Sequence, residues 1–291
     1  MALYQRGPDH PLGTPIEAAV SLAIETTERR AEAAYPGSRS QLLKAGFVGR
    51  RKEMHALRRD LRVGQHFHVV FGAGGLGKSA FCAEALKVYA RLGWQPLALW
   101  CADVEGSSDP VAGLVRQLDA RGQVLLGETW DGILASYEHA AAQDERLRQT
   151  PAQFGFLLQA LVRVNARPLA IYLDNLESLQ VGPVGEDPAA FAKWRDGGYA
   201  AFWQGLRRAQ ERQSGRLAIL GSSRYRHPDF GAGVPFTRLA DDALWRMLLW
   251  FPNLRRLSEA SRGGLVSRLA GHPRGGVSRC ADRPGDPRLG I

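Results

Sequence analysis

Cysteine is scarce in this sequence, with three residues in a chain of 291. Cys82, Cys101 and Cys280 are scattered, without the paired spacing of a disulfide framework or of a zinc site. This scarcity excludes the small disulfide-rich and zinc-ribbon classes of protein. It fits a reducing compartment, and we expect a cytoplasmic location.

Long apolar runs are also lacking. No stretch approaches the roughly 20 apolar residues that a membrane-spanning helix needs. Residues 1–15 contain proline, glycine, aspartate and histidine where a signal peptide would have an apolar block. The sequence therefore predicts neither export nor a membrane partner.

Acidic residues are fewer than basic ones, 29 against 38, which gives a net charge of +9 and a pI near 9.9. Such a balance raises the question of a nucleic-acid partner. The basic residues are nearly all arginines, however, and they are dispersed instead of forming one stripe with interleaved aromatic residues. A solvated basic surface is the favoured interpretation, and a nucleic-acid partner stays open.

Apolar runs of strand length alternate with helical patterns after residue 45. The expected strands are residues 66–71, 96–101, 169–173, 216–221 and 235–239. The expected helices are residues 16–34, 50–61, 78–92 and 241–270. A further helical stretch over 110–165 is expected to be broken at Gly122, Gly127, Gly132 and Pro151. Another helix is expected to contain Trp194, Tyr199, Phe202, Trp203 and Leu206. This order predicts an α/β fold with about five parallel strands and a small helical piece after them. Ligands of such sheets bind at the carboxyl ends of the strands.

Residues 72–79 read Gly-Ala-Gly-Gly-Leu-Gly-Lys-Ser, directly after the first strand and directly before a helix. This is a complete GxxxxGK[ST] phosphate loop. Its glycines let backbone N–H groups turn inward around a phosphate, while Lys78 adds a positive charge and Ser79 offers a hydroxyl to Mg²⁺. We expect nucleotide to be bound by Gly72, Ala73, Gly74, Gly75, Leu76, Gly77, Lys78, Ser79 and Ala80.

The third expected strand ends in Asp174, where a phosphate-loop protein holds its metal. Ser79 and Asp174 are therefore the expected Mg²⁺ ligands, Asp174 acting through water. The next residue, Asn175, can position a water molecule but cannot take its proton. Glu177 is the nearest alternative base, or else an ordinary carboxylate at the start of a helix. Slow hydrolysis is the expected result.

The fourth expected strand ends in Ser222-Ser223-Arg224. The two hydroxyls are candidates to contact the attacking water or the γ-phosphate, and the fork-shaped charge of Arg224 suits phosphate oxygens. The alternative for Arg224 is a surface arginine in a basic loop. The candidate catalytic residues are Asp174, Asn175, Glu177 and Arg224.

Several segments, in this order, resemble the motifs of the STAND class of P-loop ATPases, the signalling switches that include the NACHT and NB-ARC groups. They are residues 47–53 (Phe-Val-Gly-Arg-Arg-Lys-Glu), the phosphate loop, residues 173–177 (Leu-Asp-Asn-Leu-Glu), residues 221–224 (Gly-Ser-Ser-Arg), residues 236–244 and residues 271–273 (Gly-His-Pro). The resemblance covers residues 45–273.

The resemblance implies a P-loop NTPase three-layer sandwich followed by a small helical domain, with ATP or ADP held between them. It implies that Val48 and Arg50 lie near the adenine and that Pro273 lies against it. It also implies activation by ADP release, ATP binding and self-association. The expected domains are a helical extension over 1–45, the ATPase domain over 46–240, a partial small helical domain over 241–273 and a disordered tail over 274–291.

Members of this class normally continue into a winged helix and sensor repeats, which nothing after residue 273 resembles. Residues 2–5 (Ala-Leu-Tyr-Gln) and 11–13 (Pro-Leu-Gly), followed by a helix, resemble the last part of a caspase-like CHAT effector domain, which precedes this ATPase in some bacterial proteins. We therefore expect residues 1–45 to be a remnant of an effector, with effector and sensor domains missing from this chain. The arginine- and proline-rich end is expected to be disordered, or the product of a shifted reading frame.

Other functions remain open beside the switch. One is a free-standing P-loop nucleotide hydrolase or kinase-like enzyme, with residues 110–165 as its lid, although Asn175 and the Ser-Ser-Arg strand favour the switch. A nucleic-acid-associated ATPase is another. A third is an interaction module that no longer binds nucleotide, against which the intact Lys78 and Ser79 argue.

Overall fold

The computed structural model describes residues 49–101, 109–182, 191–213 and 215–248, together with residues 258, 259, 261, 263 and 266. The expected extension over 1–45, Val48, Pro273 and the tail over 274–291 lie outside the described residues. The helices are α1 (Arg51–Arg62), α2 (Lys78–Arg91), α3 (Pro110–Leu126), α4 (Glu128–Gln143), α5 (Thr150–Val164), α6 (Gly197–Arg212) and α7 (Asp241–Leu248). The strands are β1 (Phe67–Phe71), β2 (Gln95–Trp100), β3 (Leu169–Asp174), β4 (Gln180–Val181), β5 (Lys193–Trp194), β6 (Leu217–Ser223) and β7 (Val234–Pro235).

The main sheet has five parallel strands in the order β2-β3-β6-β1-β7. Pro96 and Pro235 lie in the two edge strands, where the missing N–H of proline does not interrupt the ladder. The three inner strands therefore carry the continuous pairing. Their carboxyl ends come together at one edge of the sheet.

Helices cover both faces of this sheet. Along β3, Leu169, Ile171 and Leu173 join a core formed with α3, α4, α5 and α6. The alternate residues Ala170 and Tyr172 join a second core formed with α1 and α2. This two-residue period is that of a strand buried on both faces. The predicted α/β fold, a three-layer sandwich built on a five-stranded parallel sheet, is confirmed.

Aspartates define where two of these helices begin. The carboxylate of Asp109 accepts a hydrogen bond from the Val111 N–H at 2.9 Å, with Pro110 in the first helical position of α3. The carboxylate of Asp196 likewise accepts from the N–H groups of Gly198 and Tyr199 at 2.7 and 3.1 Å, at the start of α6. Each cap satisfies N–H groups that the helix itself leaves without a partner.

Most expected strands are shifted by one or two residues, but the last one differs more. Strand β7 contains only Val234 and Pro235, so the expectation of a strand over 235–239 was wrong. The side chain of Arg50 binds the carbonyl of Thr237, just beyond β7. That carbonyl is therefore engaged by a side chain, not by a neighbouring strand.

The helical expectations also need correction. Trp194 lies outside α6, in a two-residue strand that pairs antiparallel with β4, an arrangement that the sequence analysis missed. Gly122 and Gly132 lie inside α3 and α4 and break neither helix. Gly127 does separate the two helices, since its φ of 53° and ψ of −128° suit glycine alone. Of the helix expected over 241–270, the structure describes α7 and helical residues at 259, 261, 263 and 266.

The two helical glycines should respond differently to alanine. A Cβ at Gly122 would lie 2.2 Å from the ring of the fully buried Trp130, whereas a Cβ at Gly132 would meet nothing within 4 Å. We expect Gly122→Ala to lower the free energy of unfolding by about 1–3 kcal/mol through overpacking. Gly132→Ala is the matched control and should be neutral or stabilising, by up to about 1 kcal/mol. Urea denaturation measures both, and equal effects would contradict this packing.

Candidate functional site

The phosphate loop occupies the turn between β1 and α2. Gly72, Gly75 and Gly77 have φ angles of 148°, 82° and 85°, which favour glycine. A Cβ at Gly72 would also lie 2.3 Å from the carbonyl oxygen of Phe236, a backbone atom that cannot move aside as a side chain would. Residue 72 must therefore be glycine, because a side chain would disfavour its φ angle and would clash with the Phe236 carbonyl oxygen.

Lys78 is the first residue of α2, and its side chain is folded back over the loop. Its Nζ donates hydrogen bonds to the carbonyl oxygens of Gly72 and Ala73, at 2.6 and 2.9 Å. The residue is 9% exposed. The ammonium group is therefore held against the first turn of the loop, next to the backbone groups that the motif provides for phosphate.

Asp174 lies at the centre of the site. Each of its carboxylate oxygens is 3.3 Å from the Ser79 hydroxyl. Oδ1 also accepts hydrogen bonds from the Ser222 hydroxyl and, at 3.0 Å, from the Asn175 N–H. The structure thus brings together the two residues that the sequence analysis expected to hold Mg²⁺. A carboxylate beside a serine hydroxyl is an oxygen-only donor set, which is the kind that Mg²⁺ prefers.

Sequence analysis missed Tyr172 as a member of this cluster. Its hydroxyl donates to the Ser222 hydroxyl at 3.1 Å, and Ser222 in turn donates to Asp174. Burial, followed by the nearby Asp174 charge, raises the pKa of Tyr172, so this phenol stays protonated as a donor. The two-residue period of a strand places residues 172 and 174 on one face, and that was the available signal.

Glu177 and Arg224 form an ion pair beside this cluster. Glu177 Oε1 accepts from Arg224 Nε at 2.9 Å, and Oε2 accepts from the Arg224 backbone N–H at 3.1 Å. The Glu177 side chain is 16% exposed and that of Arg224 is 56% exposed. Burial raises the pKa of Glu177, while Lys78 and Arg224 act in the opposite direction. Both groups lie near the loop, and each is the other's partner.

The remaining polar residues at these strand ends bond within the protein. The Asn175 side chain donates from Nδ2 to the carbonyl of Cys101 at 2.8 Å, and its φ of 64° is one that asparagine tolerates. The Ser223 hydroxyl is fully buried and donates to Gln180 Oε1 at 2.9 Å. The expected contacts of Asn175, Ser222 and Ser223 with water or phosphate stay predictions.

A family model described as an AAA ATPase domain matches residues 46–220. The chain belongs to this family. Its domain is therefore a nucleotide-binding ATPase domain of the P-loop type.

No curated protein matches the chain. Among solved structures, it is similar to a chain in the structure of the E. coli MS115-1 HORMA:CdnC:Trip13 complex. The two share 13% sequence identity, with 92% of this chain and 74% of the other covered and a TM-score of 0.40. So distant a likeness carries no argument about this AAA ATPase domain.

Arg50 of the AAA ATPase domain is turned inward. Its side chain is 5% exposed, and Nη2 donates to the carbonyl of Leu76 in the phosphate loop at 3.2 Å and to the carbonyl of Thr237. Its expected place near the adenine stays a prediction. Val48 and Pro273, expected near the same base, lie outside the described residues.

Two buried thiols border the site of the AAA ATPase domain. Burial, together with the nearby Asp174 charge, raises the pKa of both Cys82 and Cys101. Thiols in this environment stay protonated and are poor nucleophiles.

In the part of the chain that the structure describes, no helix is long and apolar enough to cross a membrane.

The two adjacent serines of β6 should differ in their contribution to stability. Ser222→Ala removes a donor from a buried carboxylate and an acceptor from Tyr172, so we expect a loss of about 1–3 kcal/mol in the free energy of unfolding. Ser223→Ala removes the hydrogen bond to Gln180 and the acceptor of the Tyr225 N–H, neither of which involves a charge, and should cost about 0.5–1.5 kcal/mol. Urea denaturation of both variants tests the order, and a larger loss in Ser223→Ala would contradict it.

Proposed function

We propose that this AAA ATPase is an ATP/ADP-binding switch of the STAND type with slow hydrolysis. The observation that carries the nucleotide site is the position of the Asp174 carboxylate, 3.3 Å from the Ser79 hydroxyl at the end of a complete phosphate loop. In the proposed site, residues 72–80 bind the phosphates and Lys78 neutralises their charge. Ser79 and Asp174 would hold Mg²⁺, which neutralises charge on the phosphates when bound.

Slow hydrolysis follows from the groups available as bases. Asn175 has an amide, which cannot accept a proton, and its Nδ2 is already bonded to the carbonyl of Cys101. Glu177 has a carboxylate, but both of its oxygens are bonded to Arg224. A general base is typically worth 10²–10⁴-fold in rate, so we expect on the order of one turnover per minute or less.

The proposed switch also needs partners. Three parts of the proposal come from the resemblance to the STAND class. They are self-association on ATP binding, a small helical domain over 241–273 that closes on the adenine, and effector or sensor domains outside this chain. A cytoplasmic location is proposed with them. Of the helical domain, α7 and helical residues at 259, 261, 263 and 266 are described, which supports a helical segment after the sheet.

A second candidate function is that of a nucleotide hydrolase working on nucleic acid. The observation that favours it is the surface of α1, where Arg51, Lys52, Arg59 and Arg62 are exposed. Such a helix can attract phosphate backbones without reading sequence. Binding of RNA or DNA that weakens steeply with salt, and stimulation of hydrolysis by either, would favour this candidate over the switch.

Lys78→Ala should nearly abolish nucleotide binding. Calorimetry with Mg·ATP and with ADP should show an affinity lower by on the order of a hundredfold or more, because the charge that Lys78 is proposed to bring to the phosphates is lost. Lys87→Ala is the matched control, since Lys87 lies on the same helix and pairs with Glu84 at 3.2 Å. Equal affinity in the wild type and in Lys78→Ala would refute the proposed site.

Glu177→Gln tests which group acts as the base. Because both Glu177 oxygens are bonded to Arg224, we expect Glu177→Gln to hydrolyse ATP at close to the wild-type rate, with unchanged nucleotide affinity. A fall of about 10²–10⁴-fold would show instead that Glu177 takes the proton of the attacking water. Glu211→Gln is the control, since Glu211 is also paired with an arginine, Arg207, at 3.3 Å. A wild-type rate of many turnovers per second would contradict slow hydrolysis, and an unchanged rate in Glu177→Gln would exclude Glu177 as the base.

A further inference from the structure

Three separate segments of the chain meet at the start of the phosphate loop. They are the entry segment at Gly49 and Arg50, the loop itself, and residues 236–240, which join β7 to α7 and are called the exit segment here. The Phe236 N–H donates to the carbonyl of Phe71, directly before the loop, at 2.6 Å, and a Cβ at Gly72 in the loop would lie 2.3 Å from the Phe236 carbonyl oxygen. A Cβ at Gly49 would lie 2.9 Å from the side chain of Leu239. The exit segment is therefore in direct contact with the other two.

The guanidinium of Arg50 bridges the loop and the exit segment. Through Nη2 it donates to the carbonyl of Leu76 in the loop and to the carbonyl of Thr237 in the exit segment. Its Cζ lies 4.3 Å from the centre of the Phe236 ring, and Nη1 pairs with Glu53 at 3.1 Å. The charge is thus fixed on three sides, and two of its acceptors are backbone atoms of different segments.

The backbone of Arg50 supports a special role for this side chain. Its φ of 52° lies in the left-handed region, which is unfavourable for a residue with a Cβ. Gly49, directly before it, also has a positive φ, of 80°. Such strain persists only where surrounding contacts stabilise it, and it concentrates at functional positions.

The bond to Leu76 affects a group of the phosphate loop. Because a peptide unit is planar and trans, the Leu76 carbonyl and the Gly77 N–H point in opposite directions. An arginine that holds this carbonyl therefore fixes the Gly77 N–H pointing away from it. Backbone N–H groups of this loop are what bind phosphate. A rotation of this peptide would alter both the loop and the bond to Arg50.

We propose that Arg50 is a positioning residue that couples the phosphate loop to the exit segment, so that nucleotide binding is transmitted to α7. This inference rests on the proposed nucleotide site. It differs from a contact with the adenine, because the acceptors of Arg50 are the carbonyls of Leu76 and Thr237. Coupling through the phosphate loop should be the same for every nucleoside triphosphate, whereas a contact with the adenine would give a higher affinity for ATP than for GTP.

Amide hydrogen exchange of the full chain tests the link without nucleotide. In Arg50→Ala, exchange should rise by about tenfold both in residues 72–79 and in residues 236–243, because each loses a charge-assisted hydrogen bond. Arg59→Ala is the matched control, an exposed arginine of α1 whose loss should change neither segment. If Arg50→Ala does not fold, Arg50→Lys keeps the charge and should give a smaller rise in the same two segments.

Addition of Mg·ATP, and separately of Mg·GTP, then tests the transmission. In the wild type, either nucleotide that protects residues 72–79 should also change exchange in residues 236–243. In Arg50→Ala at saturating nucleotide, the change in exchange of residues 236–243 should disappear. The affinities of this variant for ATP and for GTP should fall by the same factor.

The outcomes separate the two proposals. Failure of both nucleotides to protect the wild-type loop contradicts the nucleotide site itself, and with it the transmission. Protection of the loop without any change in residues 236–243, or wild-type exchange in a folded Arg50 variant, overturns the coupling and leaves the nucleotide site intact. A loss of affinity for ATP alone in Arg50→Ala would replace coupling by an adenine contact.

Discussion

The buried charge of Asp174 is the constraint on which the site depends. A carboxylate that is 7% exposed is costly unless donors surround it. Its donors come from three parts of the chain, which are the Ser79 hydroxyl on α2, the Ser222 hydroxyl on β6 and the Asn175 N–H after β3. Folding can therefore bury this charge only when the phosphate loop, β3 and β6 have their final relative positions.

The sheet order provides those positions. β6 pairs with β3 on one side and with β1 on the other, in parallel, so that Ser222 lies opposite Val70 near the end of β1. Carboxyl ends of parallel strands share one edge, and the loop leaves β1 at that edge. The apolar residues of β3 and β6 keep these strands in the middle of the sheet, covered on both faces.

Much of this could be predicted from the sequence because its signals are local. The phosphate loop, the apolar run before Asp174 and the alternation of strands and helices each lie within a few residues. The site features that were missed depend on residues far apart in sequence. The bond from Ser223 to Gln180 and the inward turn of Arg50 toward Thr237 span 43 and 187 residues. Neither Gln180 nor the Thr237 carbonyl carries any pattern that marks it as an acceptor.

Trp194 shows the same limit within the fold. Apolar spacing alone assigned it to the following helix, but its ring nitrogen donates to Asp229 at 2.7 Å and its ring packs against that of His227, 4.1 Å between centres. These partners lie more than thirty residues along the chain, so tertiary contact outweighed the local pattern. The helix begins later, at Gly197, because the Asp196 cap supplies its first N–H groups with an acceptor.

Two arginines border the phosphate loop, and their environments suit opposite tasks. Arg50 is buried and bonded to the backbone carbonyls of two different segments, so its contacts hold those segments in place. Arg224 is about half exposed and is paired with the side chain of Glu177, so its guanidinium stays accessible from solvent. Phosphate oxygens, which carry more charge than a carboxylate, can therefore reach Arg224 and compete with Glu177 for it. In the proposed switch, a phosphate that takes the Arg224 side chain still leaves Glu177 bonded to the Arg224 backbone N–H, which keeps this carboxylate engaged and hydrolysis slow.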